Sequence, residues 1–284
     1  MKTKRRIKDI TGMTQLMLDI KPDRCDSDVF VNHALDVTEL MDYLAKRKEE
    51  GRPVTFFHAF LTAAAKTIYN RKKLNYFIQN RHVFEHTTVS LSFVAKVDFA
   101  DNSEEMMLII PVEPEDTIDD VSKKIKDKIE ELRVSKDNKR DGAQGTIDAL
   151  AKLPNIIRVP IVGVLKWMDK KGCLPASVQK DNLYYSSMIL SNLGAIHFDA
   201  IYHNITNFGE CSSLVTIGEV REEEVLINGK KQVRKLCDIG ANFDERVADG
   251  YYFVKSVKLL ENILAHPELL EDPVSTKVDE AELR

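Results

Sequence analysis

The chain has 284 residues, 43% hydrophobic and 30% charged, a composition typical of a globular protein whose core needs neither disulfides nor metal. Its 41 Lys and Arg and 45 Asp and Glu residues give a net charge of −4, which argues against a general nucleic-acid-binding protein. No apolar run approaches the roughly 20 residues that a membrane span requires, and no signal segment follows the charged N-terminus. The four cysteines are widely spaced, which predicts a reduced, cytoplasmic protein without a zinc site.

Strand and helix patterns alternate along the chain, which predicts a mixed α/β or α+β domain. Residues 29–35 predict a strand, after which Asp36 caps a helix that ends near Gly51. A second helix is predicted over residues 56–69, where several alanines allow close packing.

Two strands and a third helix are predicted next. Residues 89–97 alternate between apolar and polar side chains, which is typical of a half-buried strand. Residues 106–112 form a near-continuous apolar run, which predicts a buried central strand. Thr117 then caps a helix that ends near Leu132, with Asp120 at the capping-box position.

The middle of the chain changes character twice. Residues 134–145 are polar and contain two glycines, which predicts an exposed loop. Residues 146–172 are unusually apolar, and Pro154 and Pro160 interrupt them, which predicts one or two short helices. Such a run is a core or subunit-interface helix, or else a lid over an acceptor or a surface for a partner.

The last third predicts strands at 188–190, 214–220 and 235–243, with a type I′ hairpin turn at Asn228-Gly229. An amphipathic helix begins near Asp249. Residues 271–284 are polar and predict a flexible tail.

Common nucleotide-binding, metalloprotease and nucleophile-elbow motifs are absent from the sequence. Two other segments stand out: Ser191-Asn192-Leu193-Gly194 at a strand end, and residues 243–250, Phe-Asp-Glu-Arg-Val-Ala-Asp-Gly, before the last helix. Together they resemble the dihydrolipoyl acyltransferase catalytic cores of 2-oxo acid dehydrogenase complexes, and more distantly chloramphenicol acetyltransferase. The second motif of that family reads Asp-His-Arg-x-x-Asp-Gly.

The resemblance covers residues 10–133 and 180–270, so it implies one catalytic domain over 1–270 with an insertion at 134–180. It implies a chloramphenicol-acetyltransferase-like α/β fold, a mixed sheet flanked by helices, assembled as a homotrimer with each active site in a channel between subunits. It also implies a coenzyme A thioester as substrate and a small-molecule or lipoyl-type acceptor with a thiol or hydroxyl group. The chain has no lipoyl domain, so no covalent lipoyl group is expected, and no metal.

The resemblance gives the motif residues their expected roles. Ser191 donates a hydrogen bond to the oxyanion, or is simply a turn residue that ends a strand. Asp249 supports the site through an ion pair, or caps the last helix, or does both. The family has an arginine where this chain has Leu16, so Arg24 or Arg246 is the alternative partner for Asp249. Three further motif residues are expected to support the site: Asn192, Gly194 and Gly250.

The catalytic histidine of the family is replaced by Glu245. A carboxylic acid has a pKa of about 4.3 and a thiol about 8.5, so full proton transfer from a thiol would cost about 5–6 kcal/mol. Burial raises a carboxyl pKa and can recover much of this. Glu245 is therefore an altered base, or an exposed or salt-bridged side chain at an inactive site. His203, and with less support His197, is a substitute base, or else a structural residue, as a lone histidine more often is.

Two functions remain open on the sequence. The first is an acyltransferase that uses a coenzyme A thioester, with Ser191 at the oxyanion and Glu245 or His203 handling the proton. The second is a non-catalytic trimeric scaffold or thioester-binding protein that has lost the base.

Overall fold

A computed structural model describes residues 4–96, 105–135 and 150–279. Its strands are β1 Lys4–Arg6, β2 Asp28–Asp36, β3 Tyr76–Gln79, β4 His82–His86, β5 Val89–Lys96, β6 Glu105–Val112, β7 Met188–Asn192, β8 Ser213–Ile227 and β9 Lys230–Asp244. Its main helices are α1 Gly12–Ile20, α2 Thr38–Glu49, α3 Phe56–Asn70, α4 Ile118–Ser135, α5 Asn155–Lys171, α6 Ala176–Gln179 and α7 Gly250–Ala265.

Six strands form a mixed sheet in the order β2-β9-β8-β7-β5-β6. Strand β7 runs parallel to β5 and β8, and the other neighbours are antiparallel. A separate antiparallel sheet has the order β1-β4-β3. The predicted mixed sheet flanked by helices is therefore confirmed.

The predicted central position of residues 106–112 is wrong, because β6 is the edge strand of the sheet. Its apolar run buries only one alternating set, Leu108, Ile110 and Val112, against the core. Pro111 has no N–H group to donate to a further strand. An edge strand tolerates proline because no strand pairs with its outer side.

The core lies on the face of the sheet covered by α2, α3, α4 and α7. Helix α3 is central to it: Phe60 and Ile68 are fully buried, and Ala59 and Ala63 let the helix approach its neighbours closely. Thr55 caps α3 by accepting a hydrogen bond from the N–H of His58 at 3.2 Å.

The predicted capping box before α4 and the predicted type I′ hairpin turn are confirmed. The Asp120 carboxylate accepts a hydrogen bond from the N–H of Thr117 at 3.0 Å, which is the reciprocal half of a capping box. Asn228 and Gly229 both have positive φ, 51° and 78°, as a type I′ turn requires.

The opposite face of the sheet, called here the outer face, is crossed by the segment between β7 and β8. Beneath this segment lies a small second cluster of buried apolar side chains, with Ile189 and Leu214 from the sheet and Ile205 from the segment. This face holds the candidate site.

The apolar middle of the chain forms one helix, α5, which continues through Pro160 and ends at Gly172 in the left-handed conformation. Most of its large apolar side chains are exposed, including Ile156 at 84% and Trp167 at 59%. The loop predicted at 134–145 lies outside the described residues from 136 onward. The predicted bounds of the catalytic domain, 1–270, and of the insertion, 134–180, stay predictions.

Residues 271–279, which the sequence assigns to a flexible tail, lie against the body. Val274 is fully buried and its N–H donates to the carbonyl of Asp116 at 2.8 Å. The ammonium of Lys66 donates to the carbonyl of Pro273 at 2.9 Å. Within the described ranges, no helix has the length and apolar character needed to cross a bilayer.

Candidate functional site

Ser191 lies near the C-terminal end of β7, in the middle of the outer face. It pairs with Thr216 of β8, which pairs in turn with Gly240 of β9, so these three residues form one row across the sheet. Directly opposed residues share a face of the sheet. Ser191 is half-buried, and its hydroxyl has no hydrogen-bond partner among the described residues. It is therefore free to donate to a bound ligand.

The segment after β7 passes directly over this row because the sheet has no side chain at Gly240. A Cβ atom there would lie 2.3 Å from the carbonyl oxygen of Ile201. The Thr216 hydroxyl accepts a hydrogen bond from the N–H of Ile201 at 3.2 Å and donates to its carbonyl at 2.5 Å. Gly240 and Thr216 thus hold the segment beside Ser191.

The turn after Ser191 is fixed by close backbone packing. A Cβ atom at Gly194 would lie 2.6 Å from the carbonyl oxygen of Gly218, which explains glycine in the Ser-Asn-Leu-Gly motif. The N–H of Leu193 donates to the carbonyl of Ile217 at 2.8 Å. Asn192, half-buried at the end of β7, pairs with Ile217, so the motif ends the strand as predicted.

Glu245 lies just beyond the end of β9 and is salt-bridged. The Lys21 ammonium contacts its Oε1, and its N–H donates to the carbonyl of Ser27 at 3.0 Å. The carboxylate is partly exposed. One of the two carboxylate oxygens of Glu245 is therefore occupied by an ammonium group of the same chain.

Asp249 does not pair with Arg24 or Arg246, so that expectation is wrong. The two guanidinium groups are turned instead toward Asp244, which is fully buried between them. Asp249 is exposed and caps α7, accepting a hydrogen bond from the N–H of Tyr252 at 2.8 Å. Gly250 begins that helix with open space around it.

Asp244 is the ion-pair partner of both arginines, and the sequence analysis did not single it out. Arg246 Nε and Nη2 donate to its two carboxylate oxygens at 2.8 and 2.7 Å. Arg24 Nε lies 3.6 Å from Oδ2, and Arg24 Nη1 donates to the carbonyl of Thr206 at 2.8 Å. Asp244 directly precedes Glu245 in the motif, and this position was the sequence signal that could have indicated its role.

A second carboxyl group adjoins this cluster. Asp28 pairs with Asp244 across β2 and β9. Burial raises the pKa of Asp28, the Asn242 amide opposes this, and the nearby Asp244 carboxylate raises the pKa further. Oδ1 of Asp28 and Oδ1 of Asn242 are both buried, and neither has a hydrogen-bond partner among the described residues.

Ser191 and Glu245 do not meet within one chain. Glu245 is two strands away from Ser191 and five residues further along β9 than the row partner Gly240. At about 4.8 Å per strand and 3.4 Å per residue, their backbones are about 19 Å apart. Neither side chain spans that distance.

The two histidines lie on the segment that follows β7. His203 is exposed, and its carbonyl accepts a hydrogen bond from Asn242, two strands and two residues from Ser191, or about 12 Å along the sheet. His197 is exposed in the turn after β7, with Nδ1 2.7 Å from Oε1 of Glu219. A carboxylate that orients an imidazole in this way is common beside general bases.

No group of three His, Cys, Asp or Glu side chains within residues 4–96, 105–135 and 150–279 is placed to hold a metal ion. The outer face offers hydrogen bonding by Ser191 and ion pairing around Asp244.

Residues 176–271, about a third of the chain, match the family model described as 2-oxoacid dehydrogenases acyltransferase (catalytic domain). No match was found among curated protein sequences.

Solved structures share the fold. A probable dihydrolipoamide acetyltransferase from Listeria monocytogenes superposes with a TM-score of 0.59 at 15% identity, over 92% of this chain and 95% of that one. A truncated catalytic core of the 2-oxoacid dehydrogenase multienzyme complex from Thermoplasma acidophilum gives 0.57 at 15% identity, over 93% and 99%. A chloramphenicol acetyltransferase gives 0.53 at 14% identity, over 92% and 99%.

The chain therefore has the chloramphenicol-acetyltransferase-like fold and resembles, in its two motifs and in the match of its C-terminal third, the acyltransferase catalytic cores of 2-oxo acid dehydrogenase complexes.

Proposed function

We propose that the protein is an acyltransferase that moves an acyl group from a coenzyme A thioester to a thiol or hydroxyl acceptor. The observation that carries the proposal is the half-buried hydroxyl of Ser191 on the outer face, which has no hydrogen-bond partner in the described part of the chain and lies within the segment that matches the acyltransferase family. A hydroxyl held by a rigid strand can donate to an oxyanion without rearrangement.

The acceptor oxygen or sulfur attacks the thioester carbonyl, and the carbonyl oxygen becomes an oxyanion that accepts the Ser191 hydrogen bond. The carbon–sulfur bond then breaks, coenzyme A leaves as the thiol, and the acceptor carries the acyl group. The proton passes from the acceptor to a base and from there to the coenzyme A sulfur. The coenzyme is a substrate here, and no resident cofactor is assigned.

The base comes from a second copy of the chain in this proposal. Ser191 and Glu245 are about 19 Å apart in one chain, by the strand spacings given above, so a site that uses both needs two chains. A trimer, as the resemblance implies, provides three such sites.

The test measures conversion of acetyl-coenzyme A to free coenzyme A by chromatography, with dihydrolipoamide as the thiol acceptor. Ser191→Ala is expected to lower the rate by about 10²- to 10³-fold, the usual loss for an oxyanion donor. Ser177→Ala, on an exposed turn of α6, is the matched control and should leave the rate unchanged. A wild-type rate equal to that of buffer, with several acceptors, would overturn the proposal.

A second candidate is a thioester-binding scaffold without catalysis. The contact between Lys21 and Glu245 favours the scaffold, because it pairs one oxygen of the carboxylate that replaces the family histidine with an ammonium group. Calorimetric titration with acetyl-coenzyme A, combined with the transfer assay, separates the two candidates. Saturable binding without transfer supports the scaffold, whereas binding together with Ser191-dependent transfer supports the enzyme.

A further inference from the structure

A cleft of about 190 Å³ opens between the first strand and the first helix, away from Ser191 and Glu245. Strand β1 and the segment after it form one wall, and α1 forms the other. The apolar part of the lining consists of Ile7, Ile10 and Val83. The N–H of Ile7 donates to the carbonyl of Val83 at 2.9 Å, which fixes this wall to the small sheet.

The polar part of the lining consists of hydrogen-bond donors: Arg6, Lys8, Gln15 and His82. Arg6 Nη2 lies 3.2 Å from Nδ1 of His82. A guanidinium group has no acceptor, so Nδ1 accepts this bond and the ring proton is on Nε2. The imidazole is therefore a further donor for a ligand.

No carboxylate lines the cleft in the part of the chain that the structure describes. Two acidic residues of the neighbouring elements are already paired elsewhere. Glu85 contacts the guanidinium of Arg5, and Asp19 of α1 lies 3.6 Å from Arg81. Asp9, between the lining residues Lys8 and Ile10, is exposed and does not line the cleft. The charges of Arg6 and Lys8 are therefore not balanced by an acidic side chain among the lining residues.

Two further features favour an anion. Helix α1 begins at Gly12, between the lining residues Ile10 and Gln15, so its positive end lies at this side of the cleft. The volume is below the roughly 300–1,000 Å³ of pockets for drug-sized ligands, so a smaller group fits. Two positive charges and additional donors suit a tetrahedral dianion better than a single carboxylate.

We infer that this cleft binds a phosphate dianion, either free or as the monoester of a small apolar group. Arg6 and Lys8 neutralise the charge, and Gln15 and His82 add hydrogen bonds. Ile7, Ile10 and Val83 contact the carbon atoms of an ester. This inference is independent of acyl transfer, because none of these residues belongs to the Ser191 site.

The experiment is calorimetric titration of the full chain with inorganic phosphate, phenyl phosphate and acetate at moderate ionic strength, where purely surface attraction is screened. Saturable binding of phosphate or phenyl phosphate at one per chain, with acetate much weaker, is the expected result. Tighter binding of phenyl phosphate assigns the cleft to a monoester, and equal affinity assigns it to free phosphate.

Arg6→Gln and Lys8→Gln should each weaken binding about tenfold or more, because each removes a charged donor. Arg5→Gln is the matched control: it removes the same charge from the adjacent residue, whose side chain contacts Glu85 instead. Unchanged circular dichroism confirms that the variants fold. Absence of saturable phosphate binding, or equal weakening by Arg5→Gln, would overturn the inference.

Discussion

Asp244 and Arg246 lie two residues apart and form a bidentate ion pair that is almost completely buried, with nitrogen–oxygen distances of 2.8 and 2.7 Å. Arg246 Nη1 also donates to the carbonyls of Lys21 and Pro22, at 3.2 and 3.1 Å. The pair therefore ties the end of β9 to the segment that carries Lys21. This arrangement places the ammonium of Lys21 against Glu245.

Asp244→Asn should destabilise the protein by about 3–5 kcal/mol, because it leaves two buried guanidinium groups without their carboxylate. The measurement is the free energy of unfolding in urea. Glu245→Gln is the matched control, and it should cost less than about 1 kcal/mol because the Glu245 ion pair is partly exposed. Similar losses for the two variants would contradict the assigned role of Asp244.

Gly240→Ala should displace the segment over Ser191, because its Cβ atom would lie 2.3 Å from the carbonyl oxygen of Ile201. We expect a loss of about 1–3 kcal/mol in unfolding free energy, as for other overpacked sites, together with weaker acetyl-coenzyme A binding. Gly163→Ala in α5 meets nothing within 4 Å and should stabilise the helix slightly. Unaltered stability and ligand binding in Gly240→Ala would show that the segment is not held there.

Stability should fall in mild acid through two buried histidines. Burial lowers the pKa of His58 and of His86 to about 4. Since an unfolded imidazole has a pKa of about 6.5, the unfolded chain binds more protons below that pH. The stability that these residues contribute is present above about pH 6.5 and is lost as the pH falls toward 4, by about 3 kcal/mol per histidine at the acid limit.

The measurement for this pH dependence is urea unfolding at a series of pH values. His58→Gln and His86→Gln should each flatten the dependence. His266→Gln, at an exposed position, should leave it unaltered. A wild-type slope that persists in both buried variants would assign the acid sensitivity to other groups.

Glu245→His should increase the rate of acyl transfer if the rest of the site is intact. The increase should be greatest in combination with Lys21→Gln, because the Lys21 ammonium would otherwise oppose protonation of the new imidazole. A well-placed general base contributes about 10²- to 10⁴-fold, which bounds the expected gain in the chromatographic assay. Glu245→Gln controls for loss of the carboxylate alone. A double variant no faster than wild type would favour the scaffold.

Mixing Ser191→Ala and Glu245→Gln proteins should recover transfer activity, because a hybrid assembly contains a site with both original residues. Subunits are exchanged in mild denaturant and assayed after dialysis, and each variant treated alone provides the baseline. Activity no greater than that baseline would contradict a site that joins Ser191 of one chain to Glu245 of another.

The local elements of the fold could be predicted because their signals are local. The Asn228-Gly229 turn, the Asp249 cap and the α3 helix each follow from a few neighbouring residues. The edge position of β6 could not be derived from its apolar run, although Pro111 pointed to it.

The motifs single out candidate site residues, but they carry no information on the distances between them. Ser191 and Glu245 follow from the motifs, but their separation depends on the order of β7, β8 and β9. The Lys21 contact joins residues 224 positions apart in sequence, and no local pattern indicates it. The partner of Asp249 was assigned wrongly because Asp244 competes for the same two arginines.

Helix α5 is completely described and has a single buried residue, Asp169. The Asp169 side chain accepts hydrogen bonds from the Tyr185 hydroxyl at 2.5 Å and the Gly209 N–H at 2.9 Å. These bonds hold the C-terminal end of the helix in place. Helices of this length gain most of their stability from packing, which the N-terminal turns of α5 lack. Their amide protons should therefore exchange with deuterium before those of α3, and slower exchange at higher protein concentration would report that another chain covers them.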